Sequence, residues 1–400
     1  MKVMLTRTAA SAVSAIALIG IHTVNAKTEA LSELESLEFT SKSKKIFTPY
    51  VTYSFDHYEN VSGGFEAGGT SAGLVDLGFD LDLESLFGWQ GTTFTVNAFA
   101  PHGNDFSGDR VGDFGVISNN FADTEFNLFR IQIVKEWGDS GNFVKFGQIA
   151  ADDDFLGIPT ADLFIHSAFA PFNTQSGNTL TPIFPLAAPG ALLHLQPSDN
   201  FSFTTAIYTG FAGEGGSSNR GFDWEFGRGD GYALFAEADY TYGAGTITLG
   251  GFYHTGEFEE FATGDTVRGL SALWAAIDHT LVDGEANGGP TLDLFARASI
   301  APQFDRSVAT YSFDGGLVLS DLFAPGHTLG LGCTFTAFGD DFLAGSADAG
   351  VTDTETVIEL TYFLPIHENF SLQPDIQYII DPHFSGEDSL VIGMRSQITF

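Results

Sequence analysis

The chain has 400 residues, with 16 Lys and Arg against 51 Asp and Glu, a formal net charge of −35 at pH 7. That excess of carboxylates excludes nucleic acid as a partner, because a phosphate backbone demands Lys and Arg. One cysteine, Cys333, excludes an intramolecular disulfide and a thiolate metal cluster.

Lys2 and Arg7 precede an apolar run from Ala9 to Ile21 and the small-residue ending Val24-Asn25-Ala26. This is the pattern of a secretory signal peptide, residues 1–26, with cleavage expected after Ala26. Its removal leaves 14 basic residues against 51 acidic ones, a net −37. No later stretch approaches the roughly 20 apolar residues that a spanning helix needs. The rest is therefore soluble or crosses a membrane as strands. Residues 27–45 are polar and charged, with ALSELESL suited to a short helix, and are expected at the periplasmic mouth.

From residue 46 to residue 400 the pattern is alternation. Val75, Leu77, Phe79, Leu81 and Leu83 share one parity, and Asp76, Gly78, Asp80, Asp82 and Glu84 the other. Successive strand side chains point to opposite faces, and a row of carboxylates needs water or partners. Strands are expected at 46–58, 73–84, 92–100, 125–137, 142–150, 190–196, 201–210 and 231–242. Eight more are expected at 245–255, 266–280, 291–300, 308–320, 327–338, 355–365, 370–380 and 389–400. Gly, Asn, Asp and Pro between them supply turns. The 47 Gly, 40 Phe and only 17% charged residues suit such a chain, whose apolar and polar residues cancel by alternation.

The early links alternate in length. SLFGWQG, GDSG, QPSDN and GAG are short, whereas Glu59–Ala72, Pro101–Thr124, Ala151–Pro189 and Phe211–Asp230 are long. The expected fold is all-β, a transmembrane antiparallel β-barrel of about sixteen strands with short periplasmic turns and long external loops. Leu281–Pro290 is long for a turn in this scheme. Loop 151–189 carries five prolines and five phenylalanines, which argues for packing, with the loop folded into the lumen as a constriction.

Catalytic and metal motifs do not develop. Gly69-Thr70-Ser71-Ala72-Gly73 matches a nucleophile elbow, but the strand from Val75 follows where a helix is required, so it is expected as a loop. A barrel lipase would also need a Ser and a His together on the lipid face, and the sequence reveals no such pair. Asp152-Asp153-Asp154 with Gly157 begins like a calcium loop, but its twelfth position is Leu163 and lacks the bidentate Glu, leaving a solvated acidic loop as the expectation. Gly227–Gly231 is not followed by a helix. No catalytic residue, cofactor site or metal site is assigned.

The final segment, SLVIGMRSQITF, puts Leu390, Ile392, Met394, Ile398 and Phe400 on one parity and Gly393, Arg395, Gln397 and Thr399 on the other. A barrel needs such a strand to pair with its first. Several stretches resemble the carbohydrate-selective porin family, the OprB type: LDLESLFGWQG at Leu81–Gly91, GQIAAD at Gly147–Asp152, PLAAPG at Pro185–Gly190, GGFYHTG at Gly250–Gly256, SLQPDIQYIIDP at Ser371–Pro382 and LVIGMRSQITF at Leu390–Phe400. The resemblance implies a sixteen-stranded outer-membrane barrel through which glucose-like monosaccharides diffuse. It also implies that the barrel-assembly machinery reads Phe400. The chain departs from the family at LEFTSKSKKIF, which stands where a Trp-Gly-Gly segment is usual, and at Arg130, where an acidic residue is expected.

A sugar pore recognises hydroxyls without holding them. The pore-lining and solute-contact candidates of lumen parity are Arg130, Glu136, Gln148, Tyr208, Glu237, Asp239, Trp274, Arg297 and Arg395. Arg130, Arg297 and Arg395 are expected to pair with carboxylates across an acidic lumen. Trp274 could alternatively anchor at the lipid interface. The implied partners are small sugars, outer-membrane lipid and the assembly machinery, for a monomer or homotrimer. The functional expectation is passive carbohydrate diffusion, with a general, cation-preferring porin as the alternative. Deleting Phe400 is expected to lower the yield of assembled barrel in outer-membrane fractions; an undiminished yield would refute that role.

Overall fold

The computed structural model describes residues 45–123, 126–179, 181–213, 220–222, 224, 226–227, 229–345 and 351–400. The expected signal peptide, residues 1–26, and all but Lys45 of the expected periplasmic segment lie outside them.

Sixteen strands form one closed antiparallel barrel in which each pairs with its chain neighbours and the first pairs with the last. They are β1 (Phe47–Ser62), β2 (Gly68–Asp82), β3 (Thr92–Gly103), β4 (Asn127–Trp137), β5 (Asn142–Ile149), β6 (Ala188–Ser198), β7 (Phe201–Thr209) and β8 (Tyr232–Tyr242). There follow β9 (Gly245–Glu259), β10 (Thr266–Val282), β11 (Thr291–Ile300), β12 (Ala309–Ser320), β13 (Thr328–Phe338), β14 (Thr354–His367), β15 (Phe370–Ile380) and β16 (Ser389–Thr399). Closure leaves no strand edge with unpaired backbone, which is the condition for spanning lipid as β-structure.

Alternation sorts the two faces. Leu273 is 57% exposed on the outside, whereas its neighbour Trp274 is 4% exposed and points inward. Leu249, Phe313, Leu331 and Ile392 are likewise exposed, and together such residues make the apolar outer band. Cys333 is also exposed. Its parity is that of Leu331 and Phe335, on the apolar outer face.

The structure corrects two expectations about links. Glu59–Ala72 is mostly strand: β1 runs to Ser62, β2 starts at Gly68, and the ladder carries Glu59 opposite Gly69 and His57 opposite Ser71. Gly63 and Gly64, both at positive φ, make the turn compact. The Gly-x-Ser-x-Gly match therefore lies inside β2 and not in a loop. At the other end of the barrel, β10 continues to Val282 and a short helix over Gly284–Asn287 completes the link, capped by Asp283 accepting from Ala286 N–H at 3.2 Å. The link is a helical turn rather than a break in the alternation.

The pairing of β1 with β16 places Asp56 opposite Arg395. Arg395 Nε and Nη2 each donate to the Asp56 carboxylate at 2.8 Å, and Nη2 also reaches Ser118 Oγ at 3.1 Å. The Asp56 side chain is 1% exposed, so removing the guanidinium strands a carboxylate. Loss of one partner of a buried pair typically costs about 3–5 kcal/mol. Arg395→Gln should therefore lower the temperature at which the barrel loses its folded migration on denaturing gels. An unchanged transition would show that this pair does not secure the seam.

Candidate functional site

The segment between β5 and β6 turns into the barrel, as its phenylalanines led us to expect. Phe155, Leu156 and Phe172 pack with Leu192, Tyr208, Phe235, Phe252 and Trp274 from the wall. Ile158, Ala161, Phe164 and Phe169 pack on Ala276, Phe295 and Val318. Gly332 is required by this approach, since a Cβ there would sit 2.7 Å from the Phe164 and Phe169 rings.

A chain folded inside a barrel must still satisfy its backbone N–H and C=O groups. The wall supplies the partners. Glu359 accepts from the N–H groups of Ile165 and His166 at 2.7 and 2.9 Å. Asp278 accepts from Thr160 N–H at 3.2 Å. Gln373 donates to Leu163 O at 2.7 Å. Arg297 donates to the carbonyls of Leu156, Phe169 and Ala170 at 2.9, 2.7 and 3.0 Å, and to Asp314 at 2.6 Å. Its guanidinium also lies 4.7 Å from the centre of the Phe172 ring.

Leu156 is held from both sides. Its φ of 68° is left-handed, a conformation that costs a residue with a Cβ about 1–2 kcal/mol. Its N–H donates to Glu237 at 3.2 Å while its carbonyl accepts from Arg297, so the wall grips both sides of the strained residue. Glu237 also accepts from Trp274 Nε1 at 2.7 Å.

The segment between β3 and β4 enters the same lumen and lies against the first. Asn119 N–H donates to Ile165 O at 2.8 Å, and Ser167 N–H to Val116 O at 2.9 Å. Glu355 accepts from Phe114, Gly115 and His383 N–H at 2.7, 3.2 and 2.9 Å. Between the two segments, His166 Nε2 faces Asp113 at 3.4 Å with both side chains fully buried. Burial pushes the Asp113 carboxyl up to about 8 and the His166 imidazole down to about 4, so the pair is uncharged at neutral pH.

The nine lumen candidates have different fates. Tyr208, Glu237, Trp274 and Arg297 face inward but are buried beneath the internal loop. Arg130 pairs with Asp153 and keeps a quarter of its side chain exposed. Asp239 is half-buried and accepts from Ser202 Oγ at 3.1 Å and Thr248 Oγ1 at 2.6 Å. Glu136 is exposed at the turn end, beside Gly91. Arg395 closes the seam. Gln148 differs from its expected parity: it lies opposite Ile131, on the face alternate to Phe143 and Lys145. A bulge in the pairing of β3 with β4 leaves the Leu128 and Phe129 carbonyls available, and the Gln148 amide donates to both.

The Asp152-Asp153-Asp154 run is not a solvated loop. Asp153 pairs with Arg130, Asp154 with Lys145 at 2.7 Å, and Asp152 accepts from Phe184 N–H at 2.9 Å. Burial pushes the Asp152 carboxyl up to about 7. The run is the anchor where the chain leaves β5. Lys145, Asp278, Asp314, Glu355, Glu359 and Gln373 were missed by sequence reasoning, although each has lumen parity on a strand that was anticipated.

The structure does bring a Ser and a His together on the outer face, where none was legible: His57 Nδ1 lies 2.8 Å from Ser71 Oγ. Ser71 stands in a regular strand, where ladder bonds occupy the backbone N–H groups that an oxyanion would need. No carboxylate hydrogen bond orients His57 among the described residues, so the two are a cross-strand polar pair.

Replacing Arg297 by Met should release the loop carbonyls and leave Asp314 unpaired. We expect higher single-channel conductance and new protease cleavage within residues 151–187. Conductance and cleavage matching the parent protein would mean that Arg297 does not hold the constriction.

A family model described as the carbohydrate-selective porin, OprB family, matches residues 66–400. No match is found among the curated proteins. Among solved structures, the high-pH structure of Pseudomonas putida OprB aligns with a TM-score of 0.78 at 20% identity, covering 88% of this chain and 94% of that one. The outer membrane channel DcaP of Acinetobacter baumannii aligns at 0.54 and 11% identity, covering 88% and 97%. Salmonella typhi OmpF, in complex with daunomycin, aligns at 0.56 and 9% identity, covering 88% and 97%. At these identities the likeness shows the shared barrel. With the family match spanning most of the sequence, the chain belongs to the carbohydrate-selective porin family, OprB, and is an outer-membrane porin.

Proposed function

We propose that the barrel passes small neutral carbohydrates of the glucose-like monosaccharide class by passive diffusion. The observation that carries this reading is charge compensation in a narrowed lumen. Arg130, Lys145, Arg297 and Arg395 are each paired with an aspartate. Three further lumen carboxylates are bonded to hydroxyls: Asp80 to Thr95, Asp239 to Thr248 and Asp293 to Thr280, each at 2.6 Å. Such groups exchange hydrogen bonds with sugar hydroxyls readily and hold them weakly, as passage requires. On this reading residues 1–26 are the export signal and are removed.

A second reading, a general cation-preferring porin, is favoured by the net charge of −35 and by those same carboxylates. Single-channel recording separates the two. Current interruption by millimolar D-glucose with a modest reversal potential in a salt gradient supports the sugar pore. A strongly cation-selective reversal potential with no response to glucose supports the second reading and defeats the first. Liposome swelling across sugars of increasing size would then set the cut-off.

A further inference from the structure

The external end of the barrel holds a cavity that the constriction does not use. Its volume is about 500 Å³, within the range of small-molecule sites. It opens between the tip of the internal loop, Ser176–Thr179, the end of β7 at Gly210–Phe211, and the upper part of β9. We propose that this vestibule is a capture site for a neutral polyhydroxylated solute, a pyranose, on its way to the constriction; the proposal rests on the sugar-pore reading above.

The chemistry of the lining selects that class. Phe211 and Phe258 are half-buried and present rings to the cavity, which suits the C–H face of a sugar. Three of the polar side chains, Ser176, Thr179 and Asp230, are left with acceptors. Ser176 Oγ donates its proton to Phe172 O at 3.1 Å, and Thr179 Oγ1 donates to Gln175 O at 3.4 Å, so each offers lone pairs. Asp230 is half-buried; one carboxylate oxygen takes Gly227 N–H and the other has no hydrogen-bond partner among the described residues. His254 Nδ1 accepts from Gly256 N–H at 3.0 Å, which puts its proton on Nε2, donated to Gly210 O at 2.7 Å. The imidazole is thus saturated and neutral. No Lys or Arg lies among the described lining residues, and the lining Glu257 is neutralised from outside that set by Arg268 at 2.7 Å. The acceptors and rings of the described lining match a ligand rich in O–H donors.

The test uses the whole barrel in planar bilayers with D-glucose added to one side at a time. Asp230→Asn keeps shape and the Gly227 contact, and Phe211→Ala removes one ring; heat-modifiable gel migration confirms that both variants fold. Each should slow glucose association from the loop side roughly two- to ten-fold, the loss of one hydrogen bond or stacking contact. Association from the turn side should stay as in the parent. Unchanged rates from the loop side, or equal slowing from both sides, overturn the vestibule while leaving the sugar pore standing. A shift in reversal potential without a change in glucose association would assign the cavity to cations and also overturn it. A parent protein that never responds to glucose overturns both readings.

Discussion

Every backbone group that enters the lumen must find a partner there, and this requirement organises the interior. Two long segments leave the strand ladder and run inside the barrel, where neither lipid nor a neighbouring strand can satisfy them. The wall answers with carboxylates where N–H groups arrive, as Glu355, Glu359 and Asp278 do, and with a guanidinium where carbonyls arrive, as Arg297 does. Charged acceptors and donors make stronger hydrogen bonds than neutral ones, so few side chains position many loop residues. The constriction is therefore a consequence of wall chemistry as much as of loop sequence.

The acidic composition takes on a specific meaning in this light. Part of the carboxylate excess is structural: Asp56, Asp153, Asp154 and Asp314 fix the lumen's cations, and Glu237, Glu355 and Glu359 hold loop backbone. Neutralising the cations inside the wall leaves a passage edged by carboxylate–hydroxyl pairs. The aromatic residues divide in the same way. Trp274, Tyr208 and Phe235 form a sealed cluster beneath the loop, whereas Phe211 and Phe258 border the vestibule. Aromatic content alone does not say which rings meet solute and which hold the loop in place.

The alternation made the strands legible. Side chains repeat every two residues, so an apolar outside and a polar inside write themselves directly into the chain. All sixteen segments were visible for that reason, as was the inward fold of loop 151–189 from its phenylalanines. The failures lie where period two is interrupted. Glycines let β1 and β2 extend through what looked like a loop, and the bulge between β3 and β4 frees the carbonyls to which Gln148 turns on the face alternate to Lys145. The His57–Ser71 pair was invisible because cross-strand register places those residues opposite each other, and register is not a property of either segment alone.

By itself the sequence determined the fold class, the strand set, the alternation of most strands, and the family, because these depend on local periodicity and on motifs in order along the chain. Only the tertiary structure decided which inward residues remain open. Arg297, Tyr208 and Arg130 have the same lumen parity, yet the first two are buried beneath the loop and only Arg130 keeps part of its side chain exposed. Parity fixes the direction of a side chain. What covers it is set by contacts between residues far apart in the chain, such as Leu156 with Arg297, which no local pattern encodes.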